Sequence, residues 1–285
     1  MMHIKQVAVI CSESLSDGLM MMVASHRLKQ EGAHVITFHN TLPELNDWFK
    51  DYTFSPQIAP EQLASTFDLI IVQYDGSPYV KELIKTVASF PKALLSIFYP
   101  TYSKYTHPPL TACDRVFNKN LSMVDNIALA TSSLLRARDH SKNNGLTPPP
   151  HLLHRRYKKR VAILSSPHIP KKYEKIGIAI RDAGFDPIFL EPENIASGAS
   201  LLYESGFFIG PESDLCHLAS NFHIPTLVVS GNKKPLTLSK PGWLKSSYLT
   251  FPRWLPKTFL ERFVLVSKVV KSFKTLVSKQ SFPYN

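Results

Sequence analysis

Short apolar runs recur along this chain, and segments with a helical spacing of apolar residues separate them. Within each run the apolar residues do not alternate with polar ones, so each strand is expected to be buried on both faces. In the first half the predicted helices are Gly18–Gln30 and Pro78–Ser89, and the predicted strands are Gln6–Cys11, His34–Phe38, Asp68–Gln73 and Ala93–Phe98. Buried strands that alternate with helices predict an α/β fold with a parallel sheet.

The alternation stops at residues 141–150, whose sequence is SKNNGLTPPP. Asn-Asn-Gly and three prolines cannot continue a helix or a central strand, so this stretch is typical of a linker. After it the predicted strands are Arg160–Leu164, Pro187–Leu190, Phe207–Gly210 and Pro225–Ser230, and the predicted helices are Lys171–Ala183, Leu201–Ser205 and Leu215–His223. We expect two α/β domains, over residues 1–140 and 158–256, a linker over residues 141–157, and a ligand in the cleft between the domains.

The net charge of +11 is concentrated in two segments. Residues 151–160 carry five basic side chains and no acidic one, and residues 233–285 carry 11 basic side chains against Glu261 alone. Residues 257–285 are predicted to form a basic amphipathic helix, whose apolar stripe includes Phe259, Phe263 and Phe273. Three interpretations stay open for the tail: the stripe packs on a domain, the lysines with Trp243, Phe251 and Trp254 meet an anionic membrane surface, or the charge binds nucleic acid. Nucleic acid is the least favoured partner, because no nucleic-acid motif accompanies the charge.

Composition excludes several classes of protein. A hydrophobic content of 44% is typical of a globular core and excludes wholesale disorder. The longest apolar runs are far shorter than the roughly 20 residues that cross a bilayer, and the N-terminus lacks the apolar stretch of a signal peptide. The three cysteines, Cys11, Cys113 and Cys216, are too far apart to form a disulfide framework or a zinc site, so we expect a cytoplasmic protein without a metal. Gly-rich phosphate loops of dinucleotide-binding and P-loop proteins are absent.

The segment Tyr203–Ser230 is the most informative part of the sequence. A strand ends at Gly210, the polar turn Pro211–Asp214 follows, and Ser213 is a good N-cap for the next helix. A helix that begins at the end of a parallel strand offers free N–H groups to a phosphate, and His217 lies one turn further on. The alternative is that any such unit needs a capped helix here and that His217 is only a polar residue on it.

This segment resembles the signature of glycosyltransferase family 9, the ADP-heptose:lipopolysaccharide heptosyltransferase family. The matching residues are Ile209, Gly210, Ser213, His217, Leu218, Ala219, Pro225 and Thr226. Three further elements of the family resemble segments of this chain: Ser14–Gly18, Ser165–Ser166 with Lys171–Lys172, and Lys240–Trp243. The resemblance implies a GT-B fold with two Rossmann-like domains, an acceptor domain first and a nucleotide-sugar domain second. It also implies that the C-terminal helix crosses back to the first domain.

The resemblance implies a metal-independent glycosyltransferase that needs no cofactor. It would transfer a heptose-like sugar from a nucleotide-diphosphate sugar, such as ADP-heptose, to a lipopolysaccharide-core or other lipid-linked acceptor. This substrate implies a peripheral position on the inner face of the cytoplasmic membrane and no nucleic-acid partner. The residue that matches the family's general base is Asp17. The alternative for Asp17 is that it caps the helix that follows, where aspartate is common.

The resemblance also assigns the remaining site residues. The residues expected to bind the donor are Ser165, Ser166, Lys171, Lys172, Glu212, Ser213, Asp214 and His217. Position after the fourth strand assigns the acceptor to Tyr102, Lys104, Tyr105 and His107. The chain departs from the family pattern at two of these positions, where Glu212 replaces Asp and Asp214 replaces Gly. Because Asp214 puts bulk and negative charge beside a negative ligand, an alternative function is a family-derived binding protein that has lost donor binding and catalysis.

Overall fold

The structure, a computed structural model, describes residues 5–165, 170–190, 195–230, 242–244, 246–250 and 265–279. The chain divides after Pro149 into two compact units. Each unit is built on a parallel sheet with helices in the connections between strands, which confirms the α/β fold class predicted from the sequence.

The first unit contains a six-stranded parallel sheet with the strand order β3-β2-β1-β4-β5-β6. Its strands are β1 Gln6–Ile10, β2 His34–Phe38, β3 Thr53–Ser55, β4 Leu69–Gln73, β5 Leu94–Tyr99 and β6 Arg115–Val116. Its helices are α1 Leu15–Gln30, a 3₁₀ helix Leu42–Trp48, α2 Pro60–Thr66, α3 Pro78–Val87 and α4 Met123–Leu135. This is the Rossmann strand order, and the carboxyl ends of β1 and β4 flank the point where the order reverses.

The second unit contains a five-stranded parallel sheet with the strand order β11-β10-β9-β7-β8. Its strands are β7 Tyr157–Leu164, β8 Asp186–Leu190, β9 Ser205–Gly210, β10 Thr226–Ser230 and β11 Ser247–Thr250. Its helices are α5 Pro170–Asp182, α6 Ile195–Tyr203, α7 Asp214–Asn221 and α8 Leu265–Ser278. Of residues 201–205, predicted to be a short helix, residues 201–203 are the end of α6, and Ser205 begins β9.

The described part of the tail helix packs on the second sheet. Val269, Phe273 and Leu276 of α8 are buried in the core that α5 and this sheet enclose. The ring of Phe273 lies 5.0 Å from that of Phe185 and 5.2 Å from that of Phe207. Of the interpretations left open for the tail, packing of the apolar stripe on a domain describes residues 265–279, which bury it within their own unit. The rest of the predicted helix, with Phe259 and Phe263, lies outside the described residues.

Residues 141–149, which the sequence assigns to the linker, pack on the first unit. The buried side-chain amide of Asn144 donates to the carbonyl of Leu19 in α1 at 3.2 Å. The N–H of Thr147 donates to the carbonyl of Trp48 at 2.8 Å. Prolines prevent regular structure here, but they do not prevent these two long-range hydrogen bonds.

Candidate functional site

Asp17 lies in the first turn of α1, directly beyond the carboxyl end of β1. Its carboxylate Oδ2 accepts a hydrogen bond of 2.5 Å from the hydroxyl of Ser12. Its backbone N–H donates to the hydroxyl of Ser14 at 3.1 Å, so Ser14 is the N-cap of the helix. The alternative in which Asp17 is the cap is therefore wrong. The side chain of Asp17 is half-buried and lies at the positive end of the helix dipole, which favours a carboxylate.

Asp17 also acts on the buried thiol that precedes this loop. Cys11 directly follows β1 and is 2% exposed. Burial, with the negative charge of Asp17 nearby, raises the pKa of the Cys11 thiol far above its ordinary value. Cys11 is therefore a neutral packing residue beside the carboxylate, and it is not a nucleophile.

His39 is a buried residue near Asp17 that the sequence analysis missed. It follows β2, is 2% exposed, and hydrogen bonds through Nε2 to the carbonyl of Ser14 at 3.0 Å. A Cβ atom added to Gly18 would lie 2.9 Å from the His39 ring, so the first turn of α1 and this ring are in close contact. The signal in the sequence is a histidine directly after the predicted strand His34–Phe38, but no residue near His39 in the sequence indicates its contact with Ser14.

Aromatic rings gather beyond the ends of β4 and β5. His107 lies 4.7 Å from Tyr74 and 5.4 Å from both Tyr99 and Tyr102, measured between ring centroids. Burial, with Asp114 nearby, raises the pKa of Tyr99 to about 12, so its hydroxyl stays protonated.

The structure brings together only part of the predicted acceptor group. Tyr102 and His107 join the aromatic cluster, and Tyr74 and Tyr99 are members of it that sequence reasoning missed. Tyr105 is 85% exposed, and Lys104 lies 5.1 Å above its ring. The missed signal was a tyrosine directly after each of two predicted strands, Asp68–Gln73 and Ala93–Phe98.

On the second sheet, two predicted donor-binding loops leave from neighbouring strands. Ile163 of β7 pairs with Ile209 of β9. Ser165 directly follows β7 and Pro211 directly follows β9, so the two loops begin at adjacent strand ends. A side chain at Gly210 would crowd these strand ends, because a Cβ atom there would lie 3.1 Å from the Cβ atom of Leu164 and 2.8 Å from the ring of Phe208.

Ser213 is the N-cap of α7, as its sequence position predicts. Its hydroxyl accepts a hydrogen bond from the N–H of Cys216 at 3.3 Å. Asp214 begins the helix, Glu212 is exposed, and His217 is buried at 6% exposure. Burial, with Glu212 nearby, raises the pKa of the Cys216 thiol to about 12. The polar turn that begins α7 thus has two carboxylates at the helix N-terminus.

The other predicted donor residues are only partly described. Lys171 is exposed in the first turn of α5, and Ser165 is half-buried. Ser166 and the side chain of Lys172 lie outside the described residues. Within the described ranges, no three His, Cys, Asp or Glu side chains come together as metal ligands would. In the same ranges, no helix has the length and apolar character needed to span a membrane.

No protein-family model matches the chain, and no curated protein does. Solved glycosyltransferase structures, however, superpose on nearly all of it. The E. coli ADP-heptose lipopolysaccharide heptosyltransferase II matches with a TM-score of 0.64 and 13% identity, covering 96% of this chain and 99% of that one. A family 9 glycosyl transferase from Veillonella parvula matches with a TM-score of 0.66 and 12% identity, covering 97% and 98%.

The chain has the GT-B fold. A third structure, the E. coli heptosyltransferase WaaC with ADP, matches with a TM-score of 0.58 and 13% identity, covering 95% of this chain and 99% of that one. The GT-B fold that the sequence resemblance implied is thereby confirmed. Its two units are the two Rossmann-like sheets described above.

Proposed function

We propose that this GT-B protein is a glycosyltransferase and a divergent member of glycosyltransferase family 9. In this proposal it transfers a heptose-like sugar from a nucleotide-diphosphate sugar to a lipopolysaccharide-core or other lipid-linked acceptor. The likeness to E. coli heptosyltransferase II over 96% of the chain is the observation that carries the proposal. The residue pattern from Ile209 to Thr226 supports it independently.

Asp17 is the general base of the proposed reaction. Ser12 holds its Oδ2, whereas its Oδ1 accepts no hydrogen bond from the residues that the structure describes. Oδ1 can therefore take the proton of an acceptor hydroxyl. As the proton leaves, the hydroxyl oxygen bonds to the anomeric carbon of the donor sugar. The bond from that carbon to the diphosphate oxygen breaks, and the diphosphate leaves with the electron pair.

The proposed donor site is formed by loops of the second unit. The N–H groups at the start of α7 and the positive end of its dipole suit a phosphate. Lys171 would offset the charge on the leaving diphosphate without a metal, and Ser165 follows the adjacent strand. The full proposed set adds the following residues: Ser166, Lys172, Glu212, Ser213, Asp214 and His217.

The proposed acceptor site is the aromatic cluster of the first unit. Tyr102 and His107 belong to it, together with Tyr74. Faces of such rings pack well against the C–H groups of a sugar ring. Lys104 and Tyr105, both exposed, are proposed to contact the outer part of the acceptor.

Replacement of Asp17 by Asn tests the mechanism. The variant keeps an oxygen that can accept from Ser12 but cannot take a proton, so we expect kcat to fall by about 10²–10⁴. Affinity for the donor should stay unchanged. The assay follows release of nucleoside diphosphate with a panel of nucleotide sugars and lipopolysaccharide-core acceptors. Glu13→Gln, an exposed change in the same loop, is the control. Equal turnover in both variants would exclude Asp17 as the base.

Calorimetry with the same nucleotide sugars tests donor binding, and Asp214→Gly is the informative variant. If the chain is a transferase, the wild type binds at least one donor. If only Asp214→Gly binds, the charge at the start of α7 has abolished the site, and the non-catalytic alternative is correct. Ser213 stays in place in both proteins, so the cap of α7 is preserved.

The anionic membrane surface is the proposed location of the acceptor. Lys268, Lys271 and Lys274 are exposed on α8, while its opposite face is core. Deletion of the tail would remove that core, so charge removal is the better test. Each lysine near such a surface contributes about 1 kcal/mol, so the triple Lys→Ala variant should bind phosphatidylglycerol vesicles about 100-fold more weakly. Lys81→Ala on α3 is the control. Unchanged vesicle binding, or charge-dependent binding to duplex DNA alone, would contradict this location.

A further inference from the structure

Both ring nitrogens of His39 are occupied, and the partners fix its protonation state. Nδ1 faces the backbone N–H groups of Thr41 and Leu42, each at 3.0 Å. Since these groups can only donate, Nδ1 is an acceptor. Nε2 lies 3.0 Å from the carbonyl of Ser14, which can only accept, so Nε2 carries the proton. His39 is therefore a neutral imidazole that bridges the start of the 3₁₀ helix and the start of α1.

The bridge ends on the residue that caps the helix of Asp17. The carbonyl of Ser14 accepts from Nε2 of His39 and also from the N–H of Gly18 at 3.0 Å. The hydroxyl of Ser14 accepts from the N–H of Asp17. Hence three hydrogen bonds on Ser14 connect the buried ring to the turn that carries the carboxylate.

Gly18 completes the contact from the other side. The nearest atoms to a Cβ placed there would be Cδ2 and Nε2 of His39, both at 2.9 Å. Real Cβ contacts are essentially never that short, so the helix backbone lies directly against the ring. Neither the ring nor the first turn of α1 can shift without the other.

We propose that His39 is a positioning residue for Asp17. It fixes the first turn of α1 through Ser14 and so fixes the direction of the carboxylate beyond β1. A displacement of about 1 Å at a catalytic group can cost 10²-fold in rate, so a fixed turn matters for turnover. This inference rests on the proposed role of Asp17 as general base.

Two substitutions separate the two halves of the bridge. His39→Gln can place an amide N–H near the position of Nε2 and keep the bond to Ser14. His39→Asn can place an oxygen near the position of Nδ1 and keep the bonds from Thr41 and Leu42, but it loses Ser14. We expect kcat to fall 10- to 100-fold in His39→Asn and less than 5-fold in His39→Gln, with donor affinity unchanged in both.

A second measurement does not depend on turnover. Amide hydrogen exchange of residues 16–19 should accelerate at least 10-fold in His39→Asn and stay near the wild-type rate in His39→Gln. The control is His34→Ala, which removes an exposed hydrogen bond to Gln6 at the other end of β2. If exchange is accelerated in His39→Asn but the wild type shows no turnover, the proposed function is contradicted, while the inference that His39 fixes the first turn of α1 still holds. The positioning role would be overturned if His39→Asn kept either the wild-type exchange rate or the wild-type kcat. It would also be overturned if both variants lost kcat equally and exchange rose throughout the unit.

Discussion

A Cβ atom at Gly206 would lie 1.9 Å from the carbonyl oxygen of Lys158 on the neighbouring strand. The pairing of β7 with β9 shifts register between Tyr157 and Val161, and Gly206 lies opposite this irregularity. The obstacle is backbone, which cannot rotate away as a side chain can. At the scale of single residues, this glycine therefore fixes the pairing of the two central strands of the second sheet.

Gly206→Ala should destabilise the protein by about 3 kcal/mol, at the upper end of the cost of overpacking. The matched control is Gly198→Ala in α6, where the nearest atom is a side-chain methyl of Leu215 at 3.3 Å. There the gain in helix propensity, up to about 1 kcal/mol, offsets the close contact. Urea unfolding measures both variants. The same unfolding midpoint for the two would show that β7 and β9 can separate at no cost.

Single residues also show the limit of what the sequence predicts. Ser213 could be identified as a cap because its partner is only three residues away. His39 could not be linked to Ser14, because the two residues are 25 positions apart and are brought together only when β1 pairs with β2. The same reason explains why Tyr74 and Tyr99 were missed as neighbours of His107.

At the scale of elements, helices with one clear apolar stripe were predicted well. Helix α3 was predicted over Pro78–Ser89 and is observed over Pro78–Val87. Helix α4 was missed, because its buried face consists largely of small or polar residues such as Ala128, Thr131 and Ser132. The capping pair Ser122 and Asp125 was a local signal for its start.

Helix α8 should contribute strongly to the stability of the second unit. Phe273 is fully buried between α5 and the sheet, so Phe273→Ala should cost about 3–5 kcal/mol. Lys274→Ala, exposed on the next position, should change stability by less than about 0.5 kcal/mol. Thermal unfolding followed by circular dichroism measures the difference. A small effect of Phe273→Ala would mean that the helix is not part of the core.

His154 should make the stability of the same unit depend on pH. Its ring donates through Nε2 to the carbonyl of Phe222 at 2.8 Å and packs on Tyr203. Burial lowers the pKa of His154 below its ordinary value of 6.5, although the bond to Phe222 opposes this. The unfolded chain therefore binds more protons, so stability falls as pH drops through about 6.5. His154→Gln keeps a donor and should flatten the decline between pH 7.5 and 5.5, whereas the exposed His151→Gln should not. Urea midpoints across this range check the prediction.

At the scale of the whole molecule, the parallel character of both sheets was predictable because uninterrupted apolar strands need helices on both faces. The central strands β1, β4, β7 and β9 were all found from the sequence. The edge strands β3, β6 and β11 were not, since they have three, two and four residues and are too short to carry a pattern. Strand order could not be predicted from the sequence, because it depends on long-range pairing, as the contact between His39 and Ser14 does.

The three cysteines provide a test of the whole fold. Cys11 and Cys216 are buried in different units, and their thiol pKa values are raised, whereas Cys113 is partly exposed. Since the thiolate is the reactive form, a maleimide at pH 8 should modify one thiol quickly in the native protein and three after denaturation. Peptide mapping by mass spectrometry identifies the sites. Rapid native modification of Cys11 or Cys216 would contradict their placement in the cores.

The hydrogen bonds of Asn144 and Thr147 have a consequence for synthesis on the ribosome. All six strands of the first sheet have been translated once Val116 is added. The residues that hydrogen bond to Leu19 and Trp48 follow about 30 residues later. At about 5–20 residues per second, the nascent first unit waits on the order of 2–6 seconds for these residues. A truncated chain released from the ribosome at residue 140 would carry all six strands but lack these two hydrogen bonds, whereas one released at residue 149 could form both.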